Sequence, residues 1–282
     1  MADGSAIQWT NSSWNVATGC DRISPGCDHC YAMVLSKRLK AMGAEKYQSD
    51  GDPRTSGPGF GVAFHERSLT DPLRWRRPRK VFVNSMSDLA HAQISNSEIA
   101  RVFGVMALAG QHSFQLLTKR PRRLRNLLPQ QAFWDDVAEV TEELRAAGHS
   151  KTSPALSGAP LMNVWIGTSI ESNDYVWRAE ELRRTPAAVR FLSLEPLLGP
   201  LPDLDFTGID WVIAGGESGQ GHRPLDLDWV RDIRDRCDVA SIPFFFKQVG
   251  GRTPKSGGRI LDGQTWDGYP AGPGEPVAMD LR

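Results

Sequence analysis

Three of the four cysteines in this chain lie close together, at Cys20, Cys27 and Cys30. Cys27 and Cys30 are separated by two residues, a spacing that allows two thiolates to reach one metal centre. Cys20 lies upstream, and the Ser-Pro-Gly segment at 24–26 can bend the chain so that its sulfur approaches the pair. We therefore predict that the three cysteines bind a metal centre.

The spacing leaves two kinds of centre open. A structural zinc site needs four ligands, and neither Cys237, far along the chain, nor His29, inside the Cys-x-x-Cys segment, is an obvious fourth. A [4Fe–4S] cluster held by three cysteines instead leaves one iron free to bind a small molecule. Buried apolar cysteines would explain an isolated residue such as Cys237, but not three thiols in so short a segment.

The composition limits the classes of protein. The chain has 282 residues, a formal net charge of +0 and 40% hydrophobic residues, enough for one α/β barrel or two smaller domains. A neutral chain has no global attraction to nucleic acid, so such a partner needs a local basic patch. The chain has no apolar run of membrane-spanning length and no export signal, so we expect no membrane partner, a cytoplasmic location and a metal in place of disulfides.

Short apolar segments alternate with amphipathic ones, which is typical of parallel βαβ units. Strands are predicted within 7–18 and at 80–84, 114–118, 164–168, 189–194, 211–214 and 243–246. Helices are predicted at 31–42, from 95, and at 122–148, 174–184 and 228–237. This order predicts an α/β fold of mostly parallel strands, a partial or complete TIM-like (β/α) barrel. An open doubly wound sheet is the alternative.

A single barrel domain is predicted over residues 1–251, with a loop insertion at 44–68 of the kind that often covers a site. Residues 252–282 are rich in Gly and Pro and are predicted to form a C-terminal extension. Most predicted strands end in polar residues or glycines, and in α/β barrels the chemistry lies at those carboxyl ends. The cysteine segment follows the first strand and therefore belongs to the same rim.

The cysteine segment and several strand ends resemble a known family. The matching segments are Trp14-Asn15, 18–20, 24–32, 194–197, 215–219, Arg223-Pro224 and 245–248. They resemble an uncharacterised phage-derived family of unknown function, and the three cysteines resemble the radical S-adenosylmethionine superfamily. That superfamily usually has C-x3-C-x2-C with an aromatic residue before the last cysteine, whereas this chain has C-x6-C-x2-C with His29 there. Residues 26–32 are also similar to the spore photoproduct lyase branch, whose substrate is DNA.

The resemblance implies a [4Fe–4S] cluster on Cys20, Cys27 and Cys30, with S-adenosylmethionine bound at the open iron. An external electron donor would then allow cleavage of the cofactor to methionine and a 5′-deoxyadenosyl radical, which removes hydrogen from the substrate. Polar residues at the strand ends are the candidates for holding the cofactor. They are Asn84, Ser85, Ser87 and Asp88 for the amine, Lys119 or Arg120 for the carboxylate, and Ser169 and Glu171 for the ribose.

Two carboxylates are the candidate catalytic residues. Glu195 precedes Pro196 in an apolar strand and would act as an acid or base, or as an ion-pair partner of Arg190 or Lys247. Glu217 follows a glycine pair that leaves room for an adenine or phosphate, although no dinucleotide-binding G-x-G-x-x-G is present.

Basic residues cluster at two places, 74–80 and 119–125, where guanidinium groups could pair with phosphates, and in the first of these the Trp75 ring could stack on a base. The predicted nucleic-acid contacts are Arg74, Trp75, Arg76, Arg77, Arg120 and Arg122, with a solvated helix end as the alternative for 74–80. The expected activity is thus a radical enzyme acting on nucleic acid, in modification or DNA repair. The alternatives are a zinc-dependent hydrolase or nucleic-acid-binding protein, and a non-catalytic, metal-stabilised subunit of an unknown protein partner.

Overall fold

A computed structural model describes residues 7–150, 156, 160–253 and 255–270. The strands are β1 (Ser12–Trp14), β2 (Ala17–Thr18), β3 (Ala63–Phe64), β4 (Lys80–Val83), β5 (Ser113–Thr118), β6 (Val164–Ser169), β7 (Val189–Leu194), β8 (Trp211–Gly215) and β9 (Phe244–Gln248). The α-helices are α1 (Tyr31–Ala41), α2 (Asn96–Leu108), α3 (Pro121–Leu127), α4 (Gln131–Ala146), α5 (Trp177–Arg183) and α6 (Leu227–Val239).

Seven strands form one parallel sheet in the order β1-β4-β5-β6-β7-β8-β9, which curls into a half-barrel. The order follows the chain without reversal, unlike that of a doubly wound sheet. β1 and β9 lie at the two edges of the sheet, so the barrel is partial. The predicted fold class is confirmed. All seven carboxyl ends consequently lie along one rim.

The two faces of the sheet bury different side chains because successive residues of a strand point to opposite sides. The outer face packs with the helices into the main core, which includes Val83, Leu116 and Leu194. The concave face is filled mainly by aromatic residues, namely Trp9, Phe82, Trp165, Phe191, Trp211 and Phe245. Cys237 is fully buried on α6 in the main core, as the sequence predicts.

Several predicted elements differ in detail from those of the structure. The helical segment 122–148 divides into α3 and α4 around Pro129, because proline disfavours a helical conformation at the residue before it. The first predicted strand divides into β1 and β2, and β2 pairs with β3 in a separate antiparallel ribbon. The helix predicted from residue 95 is α2, and Ser95 and Glu98 form a capping box at its start.

Residues outside the barrel strands pack against the sheet. The insertion 44–68 contains β3, and its chain at Gly61 passes so close to Gly19 that a Cβ there would lie 2.1 Å from the Gly61 oxygen. The described part of the C-terminal extension reaches the concave face, where the Tyr269 ring lies 4.9 Å from that of Trp211. None of the described helices has the length and apolar character needed to cross a membrane.

Candidate functional site

The cysteines lie on the loop that joins β2 to α1, which we call the cysteine loop (residues 19–30). Gly19 forms a parallel bridge with Ser87, so Cys20 enters the loop at the carboxyl ends of β1 and β4. Cys27 ends a short 3₁₀ turn at Pro25–Cys27, and Cys30 is the N-cap of α1. All three are half-buried free thiols. The structure therefore places the predicted metal ligands on the predicted rim.

A guanidinium group from the next strand end contacts the first cysteine. Nη1 of Arg120 donates to Sγ of Cys20 at 3.2 Å and to Oδ2 of Asp88 at 2.9 Å, while Nη2 donates to the Asp21 carbonyl at 3.1 Å. Burial raises the pKa of the Cys20 thiol to about 12, and Asp88 adds to this, whereas the positive charge of Arg120 opposes it. Arg120 is the group that favours a Cys20 thiolate.

Asp88 anchors Arg120 to the rim. Its Oδ1 accepts hydrogen bonds from the Ala90 amide at 3.0 Å and the Thr118 hydroxyl at 2.7 Å, and its Oδ2 accepts from the Lys119 amide at 3.2 Å. Both oxygens of this predicted cofactor-binding residue are thus already bonded within the chain. The ends of β4 and β5 are joined through this carboxylate, and it fixes the position of Arg120.

A second carboxylate–arginine pair holds the far end of the cysteine loop. Oε2 of Glu217, after β8, accepts from Nε of Arg223 at 3.0 Å and is 2.9 Å from Nδ1 of His29, and Nη2 of Arg223 donates to the Pro25 carbonyl at 3.0 Å. Burial alone would raise the pKa of Glu217, but the hydrogen bonds from Arg223 and His29 prevail and lower it to about 2. Glu217, a predicted catalytic residue, is placed as an ionised anchor of the loop.

A third contact joins the cysteine loop to the insertion. Oδ1 of Asp21 accepts from the hydroxyls of Thr55 at 2.5 Å and Ser56 at 3.2 Å, and Oδ2 is 2.9 Å from Nε2 of His91. The hydrogen bond from Thr55 lowers the pKa of Asp21 despite some burial, and the bond with His91 adds to this. The insertion therefore supports the first half of the loop.

The middle of the loop rests on a buried ion pair. A Cβ added at Gly26 would lie 3.1 Å from Cδ of Glu171, so the loop backbone packs directly on that side chain. Oε2 of Glu171 accepts from Nη1 of Arg178 at 2.9 Å, and both side chains are almost fully buried. Oε1 of Glu171 has no hydrogen-bond partner among the described residues. One oxygen of this predicted ribose ligand can thus still accept a bond, whereas Ser169 contributes its carbonyl to Arg178.

Glu195 occupies the mouth of the half-barrel. Its Oε1 lies 3.0 Å from Nζ of Lys247 on β9, and its Oε2 accepts from the Ser193 hydroxyl at 3.3 Å. Of the two ion-pair partners that the sequence suggested for Glu195, Arg190 and Lys247, the structure shows Lys247. Arg190 instead donates through Nε to the Thr185 carbonyl.

The other predicted cofactor-binding residues build the rim. Ser87 donates to the Ala17 carbonyl at 3.0 Å, and Ser85 bonds to the Asn15 side chain at 3.2 Å. Asn84 has a φ of 60° and accepts from the Ala17 amide, while its buried Nδ2 has no partner among the described residues. Lys119 follows β5 on the rim; burial raises the pKa of the Cys30 thiol, and the positive charge of Lys119 opposes this rise.

The predicted nucleic-acid contacts do not form one patch. Arg74, Trp75, Arg76 and Arg77 precede β4 and lie at the amino edge of the sheet, away from the cysteine loop; the three arginines are exposed, and Trp75 is half-buried against His112. Arg120 is directed at Cys20, and Arg122 contacts Glu181. The structure therefore places Arg74, Trp75, Arg76 and Arg77 at the amino ends of the strands and Arg120 and Arg122 after the carboxyl end of β5.

The donor chemistry of the loop fits an iron–sulfur cluster, because three thiols share one segment with a hydrogen-bond donor at one sulfur. Within the described ranges, however, no three His, Cys, Asp or Glu side chains are arranged so that they could hold a metal ion. Binding by all three cysteines therefore requires their sulfurs to move closer together.

Arg178 and His91 lack a local signal that would mark them as part of this site. Arg178 sits on an amphipathic helix, and His91 has no ligand spacing to another histidine. The only feature of the sequence that singled out Arg223 was its position in a segment that resembles the family. Their positions follow from the strand order.

A model of the family described as "Protein of unknown function (DUF5131)" matches residues 4–270. The chain belongs to this family. The predicted membership in a family of unknown function is confirmed. No curated protein matches the chain.

Among solved structures, "Spore photoproduct lyase complexed with dinucleoside spore photoproduct" is similar to this member of the family, with a TM-score of 0.43 and 11% sequence identity. The match covers 83% of this chain and 63% of that chain, so this chain spans less than two thirds of that protein. A likeness of this degree is too distant to assign a reaction.

Proposed function

We propose that this protein is a radical S-adenosylmethionine enzyme that holds a [4Fe–4S] cluster through Cys20, Cys27 and Cys30 and acts on nucleic acid. The observation that carries the proposal is the cysteine loop at the carboxyl rim of a parallel half-barrel, with Arg120 donating to Cys20. A zinc site held by the same cysteines is the alternative, with water or His29 as the fourth ligand; Nδ1 of the His29 ring bonds to Glu217, and its Nε2 would be the ligand atom.

The bound cluster and S-adenosylmethionine would supply a radical able to remove a hydrogen atom from a substrate. The chain would bind and orient these groups. Lys119, at the carboxyl end of β5, offers a cation for the methionyl carboxylate, and the unpaired oxygen of Glu171 offers an acceptor for a ribose hydroxyl. Aromatic residues fill the concave face and keep water out of the half-barrel below the rim.

The test is anaerobic reconstitution with iron and sulfide, followed by reduction and an assay for 5′-deoxyadenosine. We expect a brown protein with absorption at about 400 nm and a product that disappears in Cys27→Ala. Cys237→Ala is the matched control, because that thiol is buried in the main core and should not affect the cluster. A colourless protein that holds stoichiometric zinc and forms no product would overturn the proposal.

The nucleic-acid substrate is tested separately by binding. The exposed Arg74, Arg76 and Arg77 precede β4 at the amino ends of the strands, and their guanidinium groups could pair with the phosphates of a bound strand. We expect the affinity for a labelled oligonucleotide to fall steeply with salt and to fall further when the three arginines are replaced by alanine. Binding that does not respond to salt or to these changes would reject nucleic acid as the substrate.

A further inference from the structure

Exposed large hydrophobic side chains are concentrated on α1. Val34 is 70% exposed, Met42 at the helix end is 69% exposed and Tyr31 is 52% exposed. Leu35 on the same helix and Ile23 in the cysteine loop are also exposed. Contiguous apolar surface on a folded protein commonly marks a contact with another molecule.

These residues share one side of the helix. Positions 31, 34, 35, 38 and 42 follow the spacing of a helical stripe, and we call them the α1 face. The opposite side of α1 holds the helix in place, because Ala32 and Met33 pack with Tyr47 and Phe60 of the insertion. On the α1 face, the Tyr31 hydroxyl donates to the Ser85 carbonyl at 2.6 Å and ties the start of the helix to the rim, whereas Val34, Leu35 and Met42 are exposed.

The charge around this stripe has one sign. α1 contains Lys37, Arg38 and Lys40 and no acidic residue. Lys40 pairs with Asp50, whereas Lys37 and Arg38 form no ion pair within the part of the chain that the structure describes. The nearest acids in sequence, Asp28 and Glu45, flank the two ends of the helix and are directed to Arg223 and Arg67. An acidic surface with an apolar centre would complement this arrangement.

We propose that the α1 face is the docking surface for a small acidic protein that carries one electron. The proposal rests on the proposed function and names the partner that this site requires. α1 begins next to Cys30, and a rise of about 1.5 Å per residue places Val34 and Leu35 within about 8 Å of Cys30 along the helix axis. A carrier seated there would give up one electron, and a [4Fe–4S] cluster bound by the cysteines would accept it.

The side-chain types favour a protein over a nucleic acid. Single-stranded nucleic acid binds aromatic platforms, and the α1 face offers Tyr31 alone, beside aliphatic side chains. Tyr, Met and Arg at the centre of a patch are typical of protein interfaces. The exposed arginines at the amino edge, around Trp75, suit phosphate contacts better.

The first experiment measures binding to metal-free protein, with purified ferredoxin and flavodoxin as probes. We expect Val34→Asp and Arg38→Glu each to weaken binding about tenfold, and added salt to weaken binding to wild type. Val239→Asp and Arg77→Glu are matched controls on other exposed surfaces and should bind as wild type. If neither carrier binds wild type, or if Val34→Asp and Val239→Asp bind alike, the docking surface is wrong.

The second experiment uses the reconstituted protein and compares two reductants. Val34→Asp should slow cluster reduction by the carrier about tenfold and leave reduction by dithionite unchanged. If the protein assembles no cluster, the proposed function is wrong. The binding measured in the first experiment would still decide whether the α1 face docks a carrier. If Val34→Asp loses oligonucleotide binding while carrier binding is intact, the α1 face binds nucleic acid. If it loses a dimer instead, the α1 face joins two copies of the chain. Either result would overturn the proposal.

Discussion

Arg120 donates a hydrogen bond to the sulfur of Cys20 at 3.2 Å, although the two residues are 100 positions apart in the chain. The same guanidinium group binds the Asp21 carbonyl and is anchored by Asp88. It thereby connects the rim of the sheet to the first candidate metal ligand. Hydrogen bonds to ligand atoms of this kind orient the ligands of a metal centre and tune its properties.

Replacing Arg120 by glutamine should weaken metal binding without removing a ligand. We expect affinity for Zn²⁺, used as a probe, to fall about 10- to 100-fold, because the Cys20 thiolate loses its donor and the loop loses one anchor. Competition with a chromophoric chelator measures the change. Arg122→Gln is the control, since Arg122 contacts Glu181 and not the cysteine loop. Equal affinities in the two variants would contradict a role for Arg120 at the metal ligands.

The buried pair of Glu171 and Arg178 should be sensitive to loss of one partner. Arg178→Ala leaves the Glu171 carboxylate buried and unpaired, which we expect to lower the free energy of unfolding by about 3–5 kcal/mol. Urea denaturation measures this cost. Arg184→Ala removes only an exposed pair with Glu180 and should cost at most about 1 kcal/mol. The double variant Glu171→Leu with Arg178→Met removes both charges and should recover much of the lost free energy of unfolding. If it is as unstable as Arg178→Ala, the unpaired charge of Glu171 is not the cause of the loss.

The anchor at Glu217 predicts a dependence of stability on acid. Its pKa is lowered from the ordinary value of a glutamate, 4.5, to about 2, so its stabilising contribution is complete above about pH 4.5 and is lost as the pH falls towards 2. The free energy of unfolding should therefore decrease less between pH 5 and pH 3 in Glu217→Gln than in wild type, by about 1–2 kcal/mol. Urea unfolding at both pH values tests this, with the exposed Glu139→Gln as control. Parallel losses in wild type and Glu217→Gln would show that Glu217 does not anchor the loop.

Gly19 at the entrance to the cysteine loop should not tolerate a side chain. Its φ is 85°, and an added Cβ would lie 2.1 Å from the Gly61 oxygen, so Gly19→Ala should destabilise the protein by about 3 kcal/mol. Gly43→Ala provides the comparison, because its φ is 74° but nothing lies within 4 Å of the added Cβ. That variant should lose only about 1 kcal/mol. Thermal unfolding of both variants distinguishes backbone overlap from the cost of a positive φ, and similar losses would exclude the overlap.

Local patterns in the sequence predicted the fold well. Alternation of apolar strands such as 189–194 with amphipathic helices depends on short-range periodicity, which one chain displays directly. The parallel order and the position of the cysteine loop followed from these elements. Boundaries were less accurate where a single residue interrupts the period, as Pro129 does between α3 and α4.

The sequence by itself determined the three-cysteine loop, a barrel-like order of parallel strands and the rim on which they meet, whereas the strand order in the structure showed that the barrel is partial. Only the tertiary structure decided which charges hold that loop: Asp88 with Arg120, Glu217 with Arg223, and Glu171 with Arg178. His29 and Glu217 are 188 positions apart, and no local spacing relates them. They meet because parallel strands bring every carboxyl end to one edge, and side-chain packing there selects each partner.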